Sequence, residues 1–305
     1  MKTYDLTIIG SGPAGLSAAI YASRYNLNTL VLGAQQGGLI ADAHKVCNFP
    51  TRPEIEGSKL GEKMQDHAEK YGAEVKMEKV TEIKENDNFV LKTNLDEEYE
   101  AKSLMLATGT ERRKLGLDRE EELMGAGVSY CATCDGRFFE DQVVGVVGGA
   151  NAAATAALYL ADLAKKVYII YRRDELRAVG AWKEQIDKTD NIEVVYNTNV
   201  TKLKGEDSLQ AVQLDQDYEG SDQLELEGLF VEIGSDPRTE LSEMLGLELD
   251  KKDYIKVDET QKTSKEKVWA AGDITTNSNY FKQSITASAE GAVAANSIHK
   301  FIKSN

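Results

Sequence analysis

The chain has 305 residues, 41% of them hydrophobic and 29% charged, and a formal net charge of −15. That length suits one large domain or two of ordinary size, in a soluble globular balance. The acidity argues against nucleic acid, whose phosphates such a surface would repel, and no apolar run is long enough to cross a bilayer.

The first residues, "MKTYDLTIIGSG", enter a strand at once. That leaves no room for a leader and sets the expectation of a cytoplasmic, reducing location. Residues 4–33 read as strand, glycine-rich turn, alanine-rich helix and second strand. Gly10, Gly12 and Gly15 complete a GxGxxG there. Gly10 permits the tight turn, Gly12 a close backbone approach to a pyrophosphate, and Gly15 the packing of helix on strand. Pro13 and Ala14 open the helix, whose N-terminus would face phosphate. The acid that usually meets a ribose after the second strand is missing. Gly33, Ala34 and Gln35 stand there, and Gln35 is the remaining candidate for that contact.

Residues 73–110 alternate apolar and polar side chains and read as hairpin strands. They end in "LATGT", where Gly109 is either a turn residue or a nucleotide contact. Next comes "CATCD". The cysteines are Cys47, Cys131 and Cys134, and the histidines are His44, His67 and His299, scattered without metal spacing. No metal site is expected, and the CxxC reads as a redox pair. Asp135, directly behind it, is placed to exchange a proton with a thiol or to cap a turn.

Residues 142–174 repeat the strand–turn–helix–strand pattern. The turn runs Gly148, Gly149, Ala150, Asn151, Ala152, Ala153, a GxGxxA with Ala150 at the middle glycine. After its strand come Arg172 and Arg173, with Arg177 a helical turn on. Guanidinium groups suit a 2′-phosphate, so NADP is favoured over NAD; the alternative is a solvated basic patch. Residues 191–216 read as a second set of hairpin strands, "WAAGD" as a strand ending in Gly272 and Asp273, and residues 284–303 as a final helix. There Asp273 would present its carboxylate to a ribityl hydroxyl.

The fold class is therefore α/β, with two Rossmann-like dinucleotide-binding domains, each with a β-meander and the second inserted in the first. The expected joints give residues 1–117 and 241–305 as one discontinuous domain and 118–240 as the inserted one. Two nucleotide sites and a dithiol point to a flavin enzyme, because a flavin bridges hydride and disulfide chemistry.

With "IIGSGPAG", "GVSYCATCDG", "RRDELRA", "VEIGSDPRT", "WAAGD" and "KQSITASAEGA" in this order, the chain resembles low-molecular-weight thioredoxin reductases over essentially its whole length. The resemblance implies a homodimer in which residues 1–117 and 241–305 form an FAD-binding domain and 118–240 an NADPH-binding domain carrying the dithiol, with electrons passing from NADPH through FAD and a Cys131–Cys134 disulfide to thioredoxin or a thioredoxin-like protein. It implies that Cys134 faces the flavin, Cys131 attacks the partner, and Asp135 handles the proton. It carries the FAD site onto Gly37, Gly38, Asn48 and Val80, and onto Gly272, Asp273, Lys282, Gln283 and Ser284. The NADPH site gains Ile233 and Gly234. The inserted domain is expected to rotate about its two chain crossings. Lys282 stands where the family usually has arginine, and Leu39 where it usually has glutamine. Ala150, Thr155 and Ala156 depart from the family on the nicotinamide side. Cys47 reads as a packed free thiol and His299 as a surface residue. Phe138 and Phe139 are either a docking surface or core. Two alternatives stay open: a related reductase fed by reduced ferredoxin or a second flavin, and a non-catalytic flavin redox sensor.

Overall fold

The computed structural model describes residues 2–43, 46 and 48–304, apart from the side chains of Cys134 and Tyr280. Cys47 lies outside the described residues. In chain order the α-helices among them are α1 (Pro13–Arg24), α2 (Gly57–Lys70), α3 (Ala132–Asp135), α4 (Asn151–Ala161), α5 (Gly180–Asp187), α6 (Glu240–Met244) and α7 (Ser284–Ser304). The chain divides into two compact units, Met1–Glu111 with Pro237–Asn305, and Arg112–Asp236. These divisions fall a few residues before the joints expected at 117/118 and 240/241. The crossing segments are short strands, Thr110–Arg112 and Ser235–Pro237, so no change of composition marks them.

The first unit is built on a five-stranded parallel sheet in the order Val268–Ala270, Leu104–Leu106, Leu6–Ile9, Thr29–Leu32, Glu74–Lys76. Its inner strands read as nearly continuous apolar runs because both faces are covered, whereas the edge strand Glu74–Lys76 carries two charges. Leu6, Ile8, Val31, Met105 and Trp269 face the side where Leu16 of α1 and Ala294 and Ile298 of α7 pack. Leu30, Leu32, Leu104 and Leu106 face the other side, with Phe89, Leu91 and Tyr99. Each such side chain removed from water contributes about 1.5–3 kcal/mol. The small residues of α1 set how closely α7 can approach: a Cβ at Gly291 would stand 2.0 Å from the Ala14 carbonyl oxygen. Thr3–Tyr4, Glu98–Ala101, Phe89–Thr93 and Val80–Glu85 form the accompanying four-stranded sheet. Of the segment read as hairpins, Glu74–Lys76 and Leu104–Leu106 thus join the parallel sheet instead. Leu104, Met105 and Leu106 are all buried, which a one-faced hairpin strand would not allow.

The second unit repeats this plan. Its parallel sheet runs Val128–Ser129, Gly228–Val231, Val143–Val147, Lys166–Tyr171, Ile192–Tyr196. The antiparallel sheet is Val200–Lys204, Ala211–Tyr218, Ser221–Glu225. Here too the leading strand of the expected hairpins, Ile192–Tyr196, pairs in the parallel sheet. Val144, Val146, Val167, Ile169 and Phe230 pack with Ala153, Ala157 and Leu160 of α4. His299, expected at the surface, is instead half-buried on α7, with its ring stacked 4.4 Å from that of Tyr25.

Gly10 holds a φ of +120°, and a Cβ there would lie 2.1 Å from the Ala107 carbonyl oxygen. Gly10→Ala is expected to destabilise the chain by about 2–4 kcal/mol, from backbone strain and overpacking together. Urea denaturation of the full chain measures it; an unchanged midpoint would refute this account of the turn.

Candidate active site

At the carboxyl ends of the first unit's parallel strands lies a cleft of about 670 Å³. Gly10, Gly12, Pro13 and Ala14 line it on one side, and Ser284 and Ala287 of α7 on another. Gly12 has an ordinary extended backbone, φ −81° and ψ −176°, and a Cβ there would meet only the Gly37 carbonyl oxygen, 3.8 Å away. Protein packing does not demand glycine at this position. Its bare Cα leaves the cleft wall open where a diphosphate would approach the start of α1. Gly15 lies beneath the helix, where a Cβ would stand 1.9 Å from the Gly10 carbonyl oxygen.

The remaining predicted residues divide between wall and support. Gln35, Gly38, Asn48, Val80 and Gly109 line the cleft, as do Gly272, Asp273, Lys282 and Gln283. The Gln35 side-chain amide donates to Asp42 over 2.9 Å, and the Gln35 backbone carbonyl accepts from the Ser11 hydroxyl over 2.7 Å. Gly37, at φ +76°, packs instead against Gly61. The Asn48 side-chain amide donates to the Gln283 side-chain oxygen Oε1 over 2.8 Å, joining residues far apart in sequence. Leu39, in the wall, adds only apolar surface.

The polar end of the cleft is a charged cluster. Lys282 Nζ donates to the Thr275 carbonyl oxygen over 2.6 Å and lies 4.3 Å from the centre of the Tyr254 ring. Burial pushes its ammonium pKa down, against the opposing pull of Asp273. Burial pushes the Asp273 carboxyl up; Lys282 opposes the shift and Glu290 adds to it. Glu290 is 6% exposed and accepts hydrogen bonds from the Gly272 N–H, the Thr275 hydroxyl and the Ser278 hydroxyl. Sequence reading missed Glu290. The available signal was a lone carboxylate on the small-residue face of the last helix, "ASAEGAVAA".

In the second unit, Cys131 precedes α3 and its sulfur is in a disulfide. Its N–H donates to the Ser129 hydroxyl over 3.0 Å, and the Asp135 N–H closes the short helix onto the Cys131 carbonyl over 3.1 Å. Asp135 is half-buried at the end of α3. The Tyr130 hydroxyl donates to the buried Glu120, which also accepts the N–H groups of Leu115, Gly116 and Leu117. The two phenylalanines part company: Phe139 packs edge-on against Phe230, whereas Phe138 is 77% exposed.

The second glycine turn copies the first. A Cβ at Gly148, φ +144°, would stand 2.2 Å from the Glu232 carbonyl oxygen. Ala150 holds φ −102° and ψ −174°, nearly the conformation of Gly12, so its methyl is sterically easy for the chain itself. Asn151 begins α4 and accepts the Val179 N–H through its side chain over 2.9 Å; Ala152 is exposed and Ala153 buried. The Arg177 N–H donates to the Gly149 carbonyl over 2.6 Å, which brings the arginine loop to the turn. The Arg172, Arg173 and Arg177 side chains are exposed and have no ion-pair or hydrogen-bond partner among the described residues. Ile233 and Gly234 follow the adjacent strand Gly228–Val231, Gly234 with φ +103°.

A carboxyl whose folded pKa exceeds its unfolded one makes stability fall as pH rises through the unfolded value. Asp273→Asn should therefore raise the melting temperature of the flavin-free chain by a few degrees at neutral pH, with the gain vanishing below about pH 4. Calorimetry across that range checks it; a lower melting temperature at neutral pH would contradict the burial account.

A family model described as pyridine nucleotide-disulphide oxidoreductase matches residues 4–292. The thioredoxin reductase of Peptoclostridium acidaminophilum is 39% identical over 313 residues, spanning 100% of this chain and 98% of that protein. The thioredoxin reductase of Lactococcus lactis, in its FR conformation, is 35% identical, with a TM-score of 0.93 over 99% of this chain and 100% of that one. The thioredoxin reductase of T. acidophilum is 35% identical, with a TM-score of 0.92 over 99% and 100%. The chain belongs to the thioredoxin reductase family of the pyridine nucleotide-disulphide oxidoreductases.

Proposed function

We propose that this protein is an NADPH-dependent flavoprotein that reduces the disulfide of thioredoxin or a thioredoxin-like protein. The observation that carries the reading is the disulfide at Cys131, in a chain whose first unit holds a cleft of about 670 Å³ walled by a GxGxxG turn. Its partner in this reading is Cys134. The first unit takes FAD, and the second takes NADPH and carries the dithiol. The cleft's chemistry fits FAD: open backbone at Gly12 for the diphosphate, Asp273 for a ribityl hydroxyl, Asn48, Lys282 and Gln283 for the ring end. Arg172, Arg173 and Arg177, whose side chains have no ion-pair or hydrogen-bond partner among the described residues, fit the 2′-phosphate of NADPH and favour it over a ferredoxin or second-flavin donor. They also speak against a sensor without a reductant.

Bound FAD would supply a two-electron relay between hydride and disulfide. The chain's own part is thiol chemistry. Two electrons and two protons open the Cys131–Cys134 bond to a dithiol. The Cys131 thiolate then attacks one sulfur of the partner's disulfide and expels the other as a thiol. Cys134 attacks Cys131 in the resulting mixed disulfide, which releases the reduced partner and restores the internal bond. Asp135, next to Cys134, takes and returns the proton. The net reaction consumes one NADPH and one proton per disulfide reduced. Phe138 offers an exposed ring beside the dithiol for the partner. A homodimer in the cytoplasm completes the proposal.

Cys131→Ser and Cys134→Ser should each lower thioredoxin reduction by about three orders of magnitude or more while NADPH still bleaches the bound flavin. A serine variant that keeps thioredoxin turnover would refute the assignment. Ala150→Gly should lower the KM for NADPH several-fold, because the methyl stands where the diphosphate comes closest. An unchanged KM would show that the methyl does not obstruct it.

A further inference from the structure

We infer that Glu290 is a positioning residue for the flavin cleft: its carboxylate holds the Gly272 N–H and the Thr275 and Ser278 hydroxyls, and so fixes the turn that carries Asp273 and backs Lys282. The inference rests on the reading that this cleft takes FAD. Glu290 is not part of the cleft wall and therefore acts through those that are.

The argument begins with cost. Glu290 is 6% exposed, on a helix face it shares with Ala287, Gly291, Ala294 and Ile298. An ionised carboxylate is tolerated in such a place only when its oxygens are filled by donors. One oxygen accepts the Gly272 N–H over 2.7 Å and shares the Thr275 hydroxyl, 3.2 Å away, with the Gly272 carbonyl at 3.0 Å; the other accepts the Ser278 hydroxyl. The three donors bracket Asp273. The same turn is held from two other sides. A Cβ at Gly272, φ +84°, would stand 2.8 Å from that of Ala14, so the backbone is pressed against the start of α1. Thr275, whose hydroxyl Glu290 holds, gives its carbonyl to Lys282 Nζ over 2.6 Å. One carboxylate on α7 thus fixes the geometry of Asp273 and Lys282, two of the charged residues of the cleft wall. The charged groups facing it are Asp273 and Lys282, with Asp250 acting on Lys282 in turn.

The test compares Glu290→Gln with Glu290→Ala in the full-length chain freed of flavin and titrated with FAD by fluorescence quenching. Glutamine keeps an acceptor for Gly272 and Thr275, and its amide can donate to a rotated Ser278 hydroxyl, so it removes charge and preserves geometry. The expected result is an FAD affinity within about three-fold of wild type for Glu290→Gln and a loss of roughly ten-fold or more for Glu290→Ala at neutral pH. In Glu290→Gln the fall of affinity in acid should also move to lower pH, because the neighbouring negative charge that holds the Asp273 proton is gone. A role in fold stability alone would leave that limb in place. Wild-type affinity in Glu290→Ala, equal losses in both variants, or an unmoved acid limb would overturn the inference while wild-type FAD binding leaves the cleft reading standing. A wild-type chain that takes no FAD would overturn both. If Glu290→Ala fails to fold, the acid limb of Glu290→Gln decides alone.

Discussion

Backbone contacts where no side chain can stand organise both units. At Gly10 a Cβ would come within 2.1 Å of the Ala107 carbonyl oxygen, and at Gly15 within 1.9 Å of the Gly10 carbonyl oxygen. Strand, turn and helix meet there through main chain alone, which brings the start of α1 down to the carboxyl edge of the sheet. A helix raised by one methyl would no longer aim its N–H groups into the cleft. The second unit solves the same problem with Gly148, whose Cβ would lie 2.2 Å from the Glu232 carbonyl oxygen. The steric demand is repeated even where the rest of the turn has diverged.

Against this shared frame, the differences between the two turns acquire meaning. Gly12 and Ala150 have nearly the same dihedral angles, and neither needs a positive φ. The choice between them is therefore not made by the chain's own conformation, but by what must approach from outside. In the first unit the wall stays open. In the second a methyl stands in the same place, and the three guanidinium groups of Arg172, Arg173 and Arg177 are exposed on the loop that the Arg177 N–H ties to the turn. Charge is handled oppositely as well. Asp273, Lys282 and Glu290 are partly or wholly enclosed, and burial shifts the first two, whereas the arginine side chains stand in water with no ion-pair or hydrogen-bond partner among the described residues. Enclosed charges must be held by hydrogen bonds before a ligand arrives, and exposed ones need only be within reach.

Much was legible from the chain alone because it depends on residue type at short range. A glycine required by φ or close approach, a dithiol spaced CxxC, and arginines after a strand all announce themselves within a few positions. So did the α/β class, since unbroken apolar runs with intervening alanine-rich helices imply parallel strands covered on both faces. What the residues alone left open was settled by contacts between distant segments. The hairpin reading of residues 73–110 overlooked that Leu104–Leu106 is buried on both faces between Leu6–Ile9 and Val268–Ala270. The adjacent Phe138 and Phe139 looked interchangeable until Phe230 claimed one of them.

The sequence by itself determined the two glycine turns, the CxxC spacing and the basic loop, since backbone strain, sulfur spacing and charge are properties a short stretch carries wherever it is placed. Only the tertiary structure decided that Asn48 meets Gln283, 235 positions away, and that Glu290 on the last helix holds the amide of Gly272. The reason is that a side chain's partner across a fold is set by which strands pair and how closely helices settle on them. No local period of the sequence encodes that.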